Sequence, residues 1–131
     1  MKELFTTEMD VRDYECDLQG IVNNANYLHY FEHTRHLYLR AHDLSFADLH
    51  SRGIDAVVAR MTVAYKVPLR SMDSFVSELW TEKQGIKYVF HQSIRHKATG
   101  KLACQTTVEV VCLVDGVLGD CPELNAKLGL E

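Results

Sequence analysis

Residues 16–35 read CDLQGIVNNANYLHYFEHTR. One carboxylate, Asp17, precedes a short polar turn, and beyond the turn neither Gly nor Pro occurs until past His42. Tyr27, Leu28, Phe31, Thr34, Leu37 and Tyr38 recur at helical spacing, which predicts a helix from Asn24 to about His42. Asn23 or Asn24 can cap its start, and Gly20 gives the backbone room to turn. Because this helix carries aromatics on several sides, it has to be enclosed, and a curled antiparallel sheet of about five strands can enclose it. The expected class is therefore α+β.

On either side of the helix the pattern changes. Phe5, Thr7, Met9 and Val11 alternate with Thr6, Glu8, Asp10 and Arg12, so residues 4 to 13 read as a strand with one buried face. Ser45 and Asp48 resemble a capping box, and with Gly53 as a stop they outline a short second helix. Four β-rich runs follow: AVVARMTVAYKV before Pro68, SFVSELWTEKQ before Gly85, KYVFHQSIRH before Ala-Thr-Gly, and KLACQTTVEVVCLV before Asp-Gly. Short turns between them suggest an antiparallel meander, and the tail CPELNAKLGL a last helical turn. With 131 residues and 47% hydrophobic content, the chain suits one domain over residues 1–131 with one sizeable core.

Charge narrows the function classes. The net charge of −4 argues against general nucleic-acid binding, which draws its affinity from neutralised phosphates. Residues 56 to 101 nevertheless hold eight Lys/Arg against three Asp/Glu, a local basic strip that suits one small phosphorylated ligand. No run of about 18 apolar residues and no signal-peptide core is present, so the expectation is an intracellular, cytoplasmic protein without a membrane span. Cys104 and Cys112 would lie roughly 26 Å apart on one strand, too far to bond. Four free thiols are expected.

The turn carries the chemistry. Unpaired N–H groups and the positive end of the helix dipole gather at residues 22 to 26, where an anion or a developing oxyanion can bind. Asp17 lies close enough to share that space, and a base or nucleophile beside an oxyanion hole is what acyl transfer requires. His29, His33, His36 and Arg40 share a helical stripe, but no HExxH or flanking ligand cluster accompanies them, so no metal and no cofactor is expected. Cys16 adjoins Asp17 yet points to the opposite face of an extended segment.

The stretch from Cys16 to Arg35 resembles the signature of hotdog-fold thioesterases, in the branch that contains 4-hydroxybenzoyl-CoA thioesterase and the Tol-Pal-type acyl-CoA thioesterases. The matching positions are Asp17, Gly20, Ile21, Val22, Ala25, Asn26 and Tyr27, and VAYKVPLR at 63–70 is similar to the family strand ending in Tyr-x-x-Pro. The chain departs from the pattern at Asn24 and Ile21, where relatives of one type or another carry His. VNNANYL is also similar to plant-type acyl-carrier-protein thioesterases.

The resemblance implies a hotdog fold and hydrolysis of an acyl thioester of coenzyme A, or alternatively of acyl carrier protein. It makes Asp17 the catalytic carboxylate and the Asn24 N–H the oxyanion donor, in a homodimer or homotetramer with its site between subunits. Gly20, Ile21, Val22, Asn23 and Tyr27 are the candidate substrate contacts, with Lys66 and Lys87 foremost among the basic residues that could meet phosphates. Two readings compete with it: a hydratase on the same fold, and a non-catalytic acyl-thioester binding module.

Overall fold

The computed structural model describes residues 3–130. In chain order it contains β1 (Phe5–Asp10), a 3-10 turn (Asp13–Glu15), α1 (Asn24–Ala41), α2 (Phe46–Ser51), β2 (Ile54–Tyr65), β3 (Ser74–Gln84), β4 (Lys87–His96), β5 (Leu102–Val114), β6 (Val117–Gly119) and α3 (Pro122–Leu128). The expected α+β hotdog architecture is what is seen: a six-stranded antiparallel sheet and one long helix against it. Asn23 is the cap of α1, its side chain accepting from the Ala25 N–H.

One expectation about the sheet fails. The strand order is β1-β3-β4-β5-β2, with β6 added beside β5, so only β3, β4 and β5 form the meander. The segment between β2 and β3 is not a tight hairpin: Val22 donates to Leu69 O and Met72 donates to Val11 O, drawing the loop toward the first turn of the chain. β2 therefore crosses to the far side of β5, pairing Ile54 with Val114 and Tyr65 with Cys104. The first strand is also shorter than expected, because the 3-10 turn follows Val11 closely. The tail forms seven helical residues rather than one turn, opened by Pro122 and closed by Gly129 in the left-handed region at φ 67°.

Side chains on the inner face line up in rows across the strands: Ser77, Ile94, Cys104 and Tyr65 in one, Leu79, Gln92, Thr106 and Val63 in the next. Against them α1 lays Tyr27, Tyr30, Phe31, Thr34, Arg35, Tyr38 and Leu39, all buried. Phe31 is fully enclosed, a burial worth about 1.5–3 kcal/mol for a side chain of its size. The core falls into two clusters, one around Tyr38, Phe90, Val108 and Leu124, the other around Val22, Tyr27, Phe31 and Ile94 near the start of α1. Between them Thr34 shares a hydrogen bond with Ser77, and Gln92 donates to Phe31 O while accepting from Arg35. These polar bridges fix the helix in register over the sheet.

Candidate active site

The site forms where the 16–23 turn meets the loop after β2. Gly20 has φ +77°, a conformation that costs other L-residues, and it lets the turn fold back so that Asp17 N–H donates to Ile21 O. The Asp17 Oδ1 accepts from Gln19 N at 2.8 Å, which orients the carboxylate. Val22 then donates to Leu69 O at 2.8 Å, while the Tyr27 hydroxyl accepts from Leu69 N at 3.0 Å. The Pro68–Leu69 loop is thus clamped to the helix start from two directions.

Glu15 secures the other side. Its carbonyl accepts from Asn23 N and from Asn26 Nδ2, at 3.0 and 2.7 Å, and its carboxylate accepts from the Tyr30 hydroxyl at 2.8 Å. Burial and that negative neighbour together push the Tyr30 phenol far above its ordinary range, so Tyr30 stays a donor at any working pH.

A pocket of about 230 Å³ results, lined by Asp17, Ile21, Val22, Asn24, Tyr27 and Lys66, with Tyr65, Pro68 and Ala103 beside them. Six residues singled out from the sequence come together there. Gly20 lies at its edge as the turn residue, and Asn23 serves as the cap. Lys87 does not join them; at the start of β4 it pairs with Glu109 at 2.8 Å. It was a candidate on charge alone, and the strand order places it elsewhere.

At the start of α1 the Ala25 N–H is bound by Asn23 Oδ1 and the Asn26 N–H by Asn23 O. Among the described residues the Asn24 N–H, which has no intrahelical acceptor, keeps no partner. An unpaired main-chain donor and a carboxylate on one small pocket can polarise a carbonyl and either attack its carbon or deprotonate the water that does. Cys16 is no rival nucleophile: burial, and next the charges of Asp13 and Asp17, raise its thiol pKa. No cluster of metal-ligating side chains occurs among the described residues, and no described helix is long and apolar enough to cross a membrane.

Sequence reasoning missed Tyr65 and Glu15. The VAYKVPLR match had marked the position of Tyr65 but not its task, which is to donate to Asn24 O at 3.1 Å. Nothing local marks Glu15, whose partners are set by the turn itself.

Known proteins resemble the chain over most of its length. The family model described as the thioesterase-like superfamily matches residues 11–124. The putative acyl-CoA thioesterase YneP of Bacillus subtilis is 31% identical over 107 residues, covering 81% of this chain and 77% of that protein. The chloroplastic acyl-acyl carrier protein thioesterase ATL3 of Arabidopsis thaliana is 38% identical over 76 residues, covering 58% of this chain and 40% of that one. The chain thus spans well under half the length of that plant relative. Among solved structures, the DHNA-CoA thioesterase from Staphylococcus aureus superposes with a TM-score of 0.87 at 24% identity, covering 96% of this chain and 89% of its own.

Proposed function

The chain belongs to the thioesterase-like superfamily, and from that premise we propose that it hydrolyses acyl thioesters of coenzyme A to the free acid and thiol. The observation that carries this reading is the pocket on which Asp17 and the unpartnered Asn24 N–H meet. The thioester carbonyl oxygen points at the Asn24 N–H, where the positive end of the α1 dipole favours the charge that develops on it. Either water deprotonated by Asp17 adds to the carbonyl carbon and collapse of the tetrahedral intermediate expels the thiolate, which takes up the proton held by Asp17, or Asp17 itself adds and expels the thiolate, and water then hydrolyses the resulting mixed anhydride to release the acid and free Asp17. Lys66 stands on the pocket wall as the cation best placed to meet a phosphate of the coenzyme A arm.

The similarity to a carrier-protein thioesterase favours a second reading, in which the same chemistry acts on an acyl carrier protein. A panel of coenzyme A and carrier-protein thioesters, read by free thiol, separates the two and exposes a binding module as a protein that binds without releasing thiol. Asp17→Asn then tests the mechanism. Turnover falls by roughly 10² to 10⁴ fold, the contribution of a positioned acid-base group. Stability hardly changes, because the amide oxygen can still accept from Gln19 N. Survival of activity within about threefold, far below that range, removes Asp17 from the mechanism.

Assembly belongs to the same proposal. β2 ends the sheet order, and its twelve residues include exposed Val57 and Val58, an edge that pairing with a second copy would protect. We expect a homodimer or homotetramer, checked by light scattering at micromolar concentration. A cytoplasmic location is proposed with it, since all four cysteines are free.

A further inference from the structure

A second cavity, about 560 Å³, opens between α1, α2 and the β2 side of the sheet. Leu39, Phe46, Val58, Phe90, Val110 and Leu124 make its interior apolar. One wall is a charge: Arg35, with 6% of its surface exposed, lines the same space. Its one hydrogen bond among the described residues runs from Nη1 to Gln92 Oε1 at 3.0 Å, which leaves four of the five guanidinium donors without a protein acceptor. No carboxylate pairs with it among the described residues. Glu32 is exposed at the cavity mouth, and Asp55 is engaged by His50 at 2.6 Å.

A cation in that position is costly, and its burial lowers the Arg35 pKa from the ordinary value. The attraction of exposed Glu32 offsets that cost only in part, and neither it nor Gln92 supplies an acceptor to the remaining guanidinium donors. A planar fork with spare donors in an apolar cavity is complementary to a carboxylate, which it can hold bidentately.

The cavity is also in line with the site. Arg35 follows Asn24 by eleven residues, which brings it within about 20° of the same helix face and roughly 16 Å along the axis. Its side chain leans back toward the start of α1, shortening that span. β2 borders the whole route, since Tyr65 touches Asn24 at one end and Val57 and Val58 line the cavity at the other.

Resting on the thioesterase reading above, we propose that the acyl group carries a distal carboxylate held by Arg35, so that the preferred substrates are monothioesters of medium-length dicarboxylic acids. The thioester end stays at Asn24 and Asp17, the methylenes follow the seam between α1 and β2, and the far carboxylate neutralises the buried guanidinium.

The test compares succinyl-, adipoyl-, suberoyl- and sebacoyl-CoA with butyryl-, hexanoyl-, octanoyl- and decanoyl-CoA. One charge-assisted pair in an apolar site predicts a kcat/KM preference of roughly ten- to a hundredfold for the dicarboxylic member at the matching length. In Arg35→Met that ratio falls to near one. Equal rates, a preference for the plain chain at every length, a stronger preference for hydroxy- or oxoacyl groups, or an unchanged ratio in the folded variant each overturn the proposal.

If Arg35→Met does not fold, calorimetry on the wild-type protein with non-hydrolysable thioether analogues decides: about tenfold tighter binding of the dicarboxylic analogue supports the proposal, and equal binding overturns it. The same measurement separates it from the reaction. Hydrolysis without preference leaves the thioesterase and removes the carboxylate subsite; tighter dicarboxylic binding without any thiol release does the reverse.

Discussion

The phenol of Tyr65 donates to the main-chain carbonyl of Asn24 across 3.1 Å, so the edge strand is tied to a residue that lines the pocket and whose N–H has no partner among the described residues. The tie makes the position of the proposed oxyanion donor, the Asn24 N–H, depend on where β2 ends. Tyr65→Phe removes the bond and keeps the ring, which packs edge-on against Tyr27 with centroids 5.5 Å apart. Because Tyr65 is exposed, the stability loss should sit near the lower end of the usual 0.5–1.5 kcal/mol. Turnover should fall further than that loss alone implies, by up to about tenfold, if the bond positions the donor as well as stabilising the fold. Urea melts and steady-state rates on the same preparation distinguish the two effects.

Asn24 offers a sharper test of the oxyanion donor. It is the first residue of α1, where proline is tolerated, and Asn23 before it already has φ −61° and ψ 138°, the extended conformation that a following proline requires. Asn24→Pro therefore deletes one N–H with little cost to the helix, whereas Asn24→Ala keeps it. Turnover in the proline variant should drop by about 10² to 10³ fold, as for loss of one oxyanion donor. The alanine variant should retain most of its rate. Equal rates in the two would show that the helix-start N–H does not touch the reacting oxygen.

The buried thiols predict how stability responds to alkali. Burial raises Cys104 to about 12 and Cys112 to about 11, from an ordinary 9.0. In the unfolded chain both lose their protons near pH 9, while the folded chain holds them. The stabilisation is fully present below pH 9 and is lost as pH rises through 11 and 12. Each tenfold difference in proton affinity corresponds to about 1.4 kcal/mol. The urea midpoint should therefore fall steeply above pH 9, and a variant with Cys104→Ala and Cys112→Ala should fall less steeply over the same range. Parallel curves for the two proteins would show that other groups govern the decline.

How much of this was legible depended on how local each feature is. The helix from Asn24, its Asn23 cap, and the strands read by alternation are set by neighbours in sequence, and they came through. Asp17, Ile21, Val22, Asn24 and Tyr27 sit within one turn and helix start, so gathering them needed little tertiary information. Strand pairing is different: Tyr65 meets Cys104 and Ile54 meets Val114 across long loops, and nothing between β2 and β3 announces that β2 leaves the meander. Lys87 was drawn in by the charge of a segment whose ends the sheet separates. Arg35 and Glu15 were invisible as functional candidates for a related reason, since a buried charge is defined by the partner it finds in space.

The far-side placement of β2 also sets an order of events as the chain acquires its structure. β3, β4 and β5 can zip together through short turns, each strand meeting its predecessor. β2 was synthesised before them all and must wait for β5, so its pairing closes a loop of several dozen residues, a step with a larger entropic cost than any hairpin. Ala103, on β5, and Tyr65, on β2, line the pocket from neighbouring paired strands. A nascent chain that has completed α1 and β2 but not β5 holds Asp17 and Lys66 and still lacks the part of the wall that Ala103 supplies, so the pocket is completed only by a contact that spans several dozen residues.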